Sequence, residues 1–502
     1  MPNLQFKKMK KINIILIIIA LLPYGITAQQ RVLTLEQTIA IASDSSLQAF
    51  VAKNLYLSSY WEYKSYKAAR LPSLSLNTTP ISYSNNFVKR YDSEQNIDVF
   101  RQQKSVYSSG TLALSQNVDF TGGTFSVNSE LDYVKNIGVS NYTQFSAIPL
   151  RIAYQQALFG YNSFKWEKKT APLKYENAKQ KFLYQTEEIS GTCVQYFFNL
   201  ASAQVEHLRA LENLTSADTL YQIGQKRFEI AAISKAELLT LKLDALNARN
   251  SLINAQTSLN KAMSALVTFL NLEKGTEIKL LLPEKLAIFQ ISPDLALQHS
   301  IANNPTYLEN RTGIMDAEKL VEKTTKELRF DASVYASVGY NNVAEKFNLA
   351  YKNTLRQDII SVGLNIPLLD WGVKKGRVNV AKNNLNVTKI SNKQREISLE
   401  QDIINTVQDF SIQQEVIKSA EEATSIADLA YQATKERFII GENDISALTL
   451  SLNRQTEARR NYIEALKNYW LSYYNIRKLT LFDFEKKTSL LLTFDRLMKV
   501  RR

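Results

Sequence analysis

Two histidines, His207 and His299, and a single cysteine, Cys193, are all that the 502 residues offer for imidazole or thiol chemistry. They stand far apart in the chain, and a lone cysteine within a helical stretch reads as a buried thiol. No nucleophile with its base, and no histidine-rich or multi-thiolate metal site, can be assembled from them. No catalytic residue, cofactor or metal is therefore expected, and an enzyme is the weakest reading. The residues that do show a pattern are of another kind. Arg227-Phe228 and Arg437-Phe438 recur 210 positions apart, each just before a break in a helical pattern. Gly441 follows the second pair, and a glycine suits a tight corner because it tolerates positive φ; the first copy carries Ala231 there. Glu442 and Asp444 come next, two carboxylates that would favour cations if they faced a solute path. Asp444 falls on Ser234 at the same shift, and Ser234-x-x-Glu237 is a capping box, so a helix cap is the first reading of Asp444.

The elements that position these corners are long. Fifteen glycines and ten prolines make up about one residue in twenty, against roughly 12% in average proteins. A chain so poor in breakers favours uninterrupted elements and excludes disorder. Apolar residues recur three to four apart over 32–70 and 291–329, and further over 162–229 and 372–437. In the last stretch Ile403, Val407, Phe410, Ile417 and Ala420 mark one face. Some 65 residues at ~1.5 Å each give a rod of about 100 Å, too long for one globular core, so side-by-side coiled-coil packing is expected.

The chain also repeats itself. At the 210 shift Leu158 meets Leu368, Tyr161 meets Trp371, Tyr221-Gln222 meets Tyr431-Gln432, and Ala248-Arg249 meets Ala458-Arg459. Upstream the shift is 260, with Ile41-Ala42 on Ile301-Ala302. Each half reads helix, β region, very long helix, turn, helix.

The β regions alternate with period two. Leu112, Leu114, Val118 and Phe120 oppose Thr111, Ser115, Asn117 and Asp119; Ile360, Val362, Leu364, Ile366 and Leu368 oppose Ser361 and Asn365. Similar segments lie at 73–84, 124–133, 148–155 and 332–340, giving four strands in the first half and two in the second. One apolar and one polar face fit either a soluble sandwich or a membrane barrel with lipid outside and water within. Four early lysines, an apolar run over 12–22 and Ile26-Thr27-Ala28 read as a secretory signal, 1–28, too short to span a bilayer. Export, together with a tight turn at Thr121-Gly122-Gly123 and longer polar loops expected at 85–109, 135–146 and 341–358, favours the barrel. Six strands are too few for a channel, so several copies must share one barrel. The net charge of +13 is scattered without a basic block, and an exported chain has no nucleic acid as partner.

These features resemble the TolC-type outer-membrane efflux proteins over about residues 32–485. The resemblance is carried by the duplicated Tyr-Gln-x4-Arg-Phe segments, by Gly441, by Arg70-Leu71-Pro72 entering the first strand, and by Ile366-Pro367-Leu368-Leu369-Asp370-Trp371-Gly372. It implies an α+β membrane protein: a homotrimer whose strands share one transmembrane β-barrel in the outer-membrane lipid and whose helices form a periplasmic coiled-coil tunnel. A periplasmic adaptor would couple it to an inner-membrane transporter of the resistance-nodulation-division or ABC type, leaving this chain a passive exit duct for small molecules. A duct for secreted polypeptides shares the fold; a periplasmic structural coiled-coil protein is the reading from another class. The organisation expected is signal 1–28, first helix 29–72, strands 73–157 with an extra hairpin 110–134, long helices 158–272, linker and helix 273–330, strands 331–369, long helices 370–482 and a tail 483–502. Family members usually give two strands per half; the extra hairpin makes eighteen strands per trimer rather than twelve, unless it packs elsewhere. By resemblance the corners at 227–237 and 437–447 form the periplasmic tip. There Arg227, Phe228, Arg437, Phe438 and Gly441 either meet the adaptor or knit the corner, and Glu442 and Asp444 stand at the entrance. Where some relatives close the tunnel with aspartates, this chain has Ala447 and Leu450.

Overall fold

The computed structural model describes residues 31–138, 141–283, 288–440, 442, 445–492 and 494. The expected signal segment, Gly441 and Asp444 lie outside these residues. The chain begins with β1 (Arg31–Thr34), α1 (Leu35–Ser45) and α2 (Leu47–Ala68), then four strands, β2 (Ser73–Asp92), β3 (Ile97–Asn117), β4 (Thr124–Ile137) and β5 (Tyr142–Ala157). Helices α3 (Ser163–Glu229) and α4 (Lys235–Phe269), strand β6 (Ile278–Leu281) and helices α5 (Pro293–Asn303) and α6 (Pro305–Glu327) follow. The second half holds β7 (Asp331–Ala344), α7 (Phe347–Ala350), β8 (Leu355–Asn365), α8 (Val373–Ile439) and α9 (Ile445–Thr480), and ends in β9 (Phe482–Asp483) and β10 (Thr488–Ser489). Helices α3 and α8 are each 67 residues long and begin 210 positions apart.

Two compact units share these elements. One, made of residues 51–185, 291–408 and 476–494 among those described, contains a six-stranded antiparallel sheet in the order β2-β3-β4-β5-β7-β8. Leu74 pairs with Leu114, Leu114 with Val127, Val127 with Ile152 and Ile152 with Val338, so one apolar row crosses five strands. One residue along, Ser115, Ser126, Ala153 and Ser337 form the next row on the opposite face. The hairpin around Thr121-Gly122-Gly123 lies inside this sheet, between β2 and β5. Its turn needs glycine: Gly122 sits at φ +78, and a Cβ on Gly123 would strike Tyr154, Gln156 and the Gln155 carbonyl.

The loop expected at 85–109 is not a loop. β2 runs on to Asp92 and β3 starts at Ile97, with a turn between them. The polar residues there pair across the strands: Ser84 Oγ with Ser105 Oγ at 2.8 Å, Gln102 Nε2 to Asn85 Oδ1 at 3.0 Å, and Lys89 with Asp98 at 2.7 Å. Polarity alone therefore mistook a solvated hairpin for irregular chain. Likewise β4 and β5 reach Ile137 and start at Tyr142, and α7 occupies part of 341–358.

The segment expected as a tail supplies core instead. Leu490 and Phe494 are buried with Tyr56, Phe182 and Leu481; Phe494 meets the Tyr56 and Phe182 rings edge-on at 5.1 and 5.8 Å. Asp483 holds Arg477 at 2.9 Å. In the same unit the buried amides Asn310 and Asn392 each donate to the other's backbone carbonyl, at 3.3 and 2.8 Å, tying α6 to α8.

The other unit, residues 31–50, 186–290 and 409–475 among those described, is helical apart from the parallel pair β1–β6. Its core includes Val194, Phe197, Phe198, Leu200, Leu266 and Leu270, and a ring cluster of Phe289, Phe410, Tyr469 and Tyr473. Gln414 holds the Phe289 backbone at both its N–H and its carbonyl, each at 3.0 Å, much as a neighbouring strand would. The apolar face read along α8 is buried at Ile403, Val407, Phe410 and Ile417.

Candidate functional site

A sheet with one apolar face needs something to cover that face. Leu74 is 67% exposed, Ile360 82% and Leu364 62%, with Leu76, Leu112, Leu150, Ile152, Val338 and Val362 exposed on the same side. No second sheet lies against them among the described residues. The opposite face is polar: Thr111, Ser126, Asn128, Arg151 and Ser337 lie along it, and Arg151 Nη2 donates to Gln357 Oε1 at 3.3 Å across two strands. Both outer strands, β2 and β8, have one edge without a partner among the described residues. No described helix is long and apolar enough to cross a membrane.

Each long helix ends in a corner. In the first, Ala232 N–H donates to Arg227 O at 2.7 Å and Ala231 N–H to Phe228 O at 2.9 Å, with Ala231 at φ +56. This is a Schellman motif with alanine in the left-handed position. In the second, Glu442 N–H donates to Arg437 O at 2.9 Å, the equivalent bond at the 210 shift. The carbonyls of Arg227 and Arg437 thus close the corners. Their guanidinium groups are exposed and make no ion pair or side-chain hydrogen bond among the described residues. Phe228 is partly exposed, Phe438 lies in the last turn of α8, and Glu442 is exposed. Arg227 lines a groove of about 440 Å³ with Leu220, Ile223, Gly224 and Glu237. A larger groove of about 510 Å³ runs between Asp244, Asn247, Tyr431 and Lys435.

Ser234 caps α4 as the sequence indicates. Glu237 N–H donates to Ser234 Oγ at 3.2 Å, and Ser234 N–H donates to Glu237 Oε2 at 2.6 Å. These bonds to Ser234 hold the Glu237 carboxyl below its ordinary range. A depressed carboxyl stabilises the fold above its ordinary range and loses that contribution as pH falls through the lowered value. Ser234→Ala is expected to cost about 1 kcal/mol at neutral pH, speeding amide exchange in the first turn of α4 about fivefold. The difference between the two proteins should narrow on acidification; hydrogen exchange at two pH values measures it.

The thiol of Cys193 is fully buried, and burial pushes it up to about 12, so it is no nucleophile at neutral pH. His299 stacks on Phe482 at 3.8 Å, and burial lowers its imidazole, which keeps it neutral. No group of acidic, histidine or cysteine side chains among the described residues could hold a metal ion. Trp371 and Tyr161, matched in sequence, differ in place: Trp371 is 87% exposed, while the Tyr161 hydroxyl is buried.

The family model for the outer membrane efflux protein matches residues 296–480, from α5 to the end of α9. Over these residues the chain is similar to the outer membrane efflux proteins. The matched stretch spans the second set of strands and long helices, and there the chain resembles the TolC-type channels. No curated protein matches the chain in sequence. Solved structures extend the likeness over most of the chain. The CmeC outer membrane channel of Campylobacter jejuni superposes with a TM-score of 0.64 at 13% identity, covering 89% of this chain and 85% of that one. The outer membrane protein VceC of Vibrio cholerae gives 0.61 at 14% identity, covering 89% and 95%. The open-state MtrE outer membrane channel of Neisseria gonorrhoeae gives 0.59 at 14%, covering 89% and 88%. At these identities the likeness is one of fold.

Proposed function

We propose that the chain is the exit duct of a tripartite pump: a homotrimer whose sheets join edge to edge into one barrel and whose helices form a periplasmic tunnel. The observation that carries this reading is the sheet, apolar and uncovered on one side, polar on the other, and open at β2 and β8. An open edge in lipid leaves unpaired amides, so the edges must be satisfied by neighbouring copies. Six strands in one continuous sheet favour eighteen per trimer over twelve. The equal length and spacing of α3 and α8 favour an internal duplication. The exposed guanidinium groups of Arg227 and Arg437 favour docking of a periplasmic adaptor, itself bound to an inner-membrane transporter of the resistance-nodulation-division or ABC type. Solute passes down the duct without chemistry, driven by that transporter.

Membrane fractionation followed by electron microscopy of the detergent-extracted protein tests the reading. The expected result is a trimer from the outer-membrane fraction with eighteen strands in one ring. A water-soluble monomer would end the proposal, and a twelve-strand ring would end its wider barrel.

A further inference from the structure

A pocket of about 570 Å³ opens where the strand ends meet the helix ends. Lys323 and Lys326 of α6, Arg329, and Lys374 and Arg377 of α8 line it, against two carboxylates, Glu327 and Asp331. Lys326 is engaged by Glu322 at 2.9 Å, and Lys323 by Glu327 at 3.9 Å. Arg329, Lys374 and Arg377 make no ion pair among the described residues. Asp370, just before α8, accepts from the Gly372 and Lys374 N–H groups at 3.0 and 3.1 Å and keeps its charge beside Lys374, which leaves Arg329 and Arg377 as the cations least offset. Tyr161 also lines the pocket, and its buried hydroxyl has no hydrogen-bond partner. Burial, with the nearby charges of Glu167, Glu322 and Asp316, holds that phenol protonated, so it remains a donor.

Strand register says which way the pocket faces. Its three strand residues are Ala157, Asp331 and Asn365. Asp331 pairs with Asn365, and Ala157 pairs with Ser333, two residues on from Asp331. By the two-residue period all three lie on the face of Ser333, Tyr335 and Ser337, opposite Leu364, Val362 and Ile360. That is the polar face.

We infer that this pocket is an anion site at the base of the bore. Copies of it form a positive collar where barrel meets tunnel, and the duct favours solutes bearing carboxylate or phosphate groups. The inference rests on the proposed barrel, because only there is the polar face a bore. Glu130 and Asp132 share that face but do not cancel the collar. Thr124 pairs with Gln155 near the strand ends, and Glu130 lies six residues further up β4. At ~3.3 Å per residue that is about 20 Å, roughly two Debye lengths at 0.1 M salt.

The test is the reversal potential of the purified trimer in a planar bilayer under a potassium chloride gradient. The wild-type protein is expected to pass chloride over potassium. K374E/R377E is expected to lower the chloride-to-potassium permeability ratio at least about threefold, since four units of charge change per copy close to the path. The milder K374Q/R377Q should move the ratio in the same direction by less, and size-exclusion chromatography confirms that both variants remain trimers. An unchanged ratio in conducting variants would overturn the anion collar and leave the duct standing. Wild-type protein that forms no pore at all would overturn the duct reading and the collar with it.

Discussion

Arginine placed at Leu112 and Leu150 together should strip the protein from the outer membrane, while arginine at Thr111 and Ser126 should leave it there. Leu112 and Leu150 are exposed on the apolar face, on β3 and β5. Thr111 and Ser126 are on the polar face, where Thr111 pairs with Glu130 and Ser126 with Ser115. An arginine facing hydrocarbon near the middle of a bilayer costs about 2–4 kcal/mol, falling toward zero at its edges. Two such residues per chain, repeated in every copy sharing the barrel, exceed the margin by which most assemblies are stable. On the polar face the same side chain keeps its hydration, and at Thr111 it gains an opposite charge beside it. Immunoblots of outer-membrane fractions would show the leucine pair depleted at least about tenfold relative to the polar pair. Equal amounts of both would mean that the apolar face meets something other than lipid.

What could be read from sequence, and what could not, follows from how local each signal is. The six strands and the 67-residue helices declared themselves because period two and period 3.6 are properties of neighbouring residues. Ser234 and Glu237 were legible as a cap for the same reason: the box spans four consecutive residues. The hairpin beyond Ser84 was not legible, because Lys89 and Asp98, or Asn85 and Gln102, look like loop residues until the strands are paired. Nor was the burial of Leu490 and Phe494, whose partners Tyr56 and Phe182 lie hundreds of residues upstream. The basic pocket escaped for a related reason. Its cations come from 323–329 and 374–377 and its floor from the ends of β5, β7 and β8, so two stretches some fifty residues apart have to be brought together before the cluster exists. Repeat arithmetic had a different limit. It matched Tyr161 with Trp371, yet one hydroxyl is buried and the other ring is exposed, because positions matched by a sequence shift need not keep equivalent surroundings.

Arg227→Glu combined with Arg437→Glu should abolish export while leaving the channel assembled in the membrane. The corners are closed by backbone: Ala232 and Glu442 donate to the carbonyls of residues 227 and 437, bonds that any side chain at those positions preserves. Since neither guanidinium group makes an ion pair or side-chain hydrogen bond among the described residues, replacing it breaks no internal polar link of the corner. A partner surface that matches these arginines is acidic, and juxtaposing like charges across an interface costs several kcal/mol. With two reversals in each copy, adaptor affinity should drop by at least about 100-fold, about 2.7 kcal/mol or more. Pull-down of the cognate adaptor and accumulation of an efflux dye read the two consequences separately, and outer-membrane abundance reports assembly. Unaltered adaptor binding would place the docking surface away from the corners. Lost binding together with lost abundance would instead make the two arginines structural, contrary to the exposed side chains and backbone closure seen at both ends.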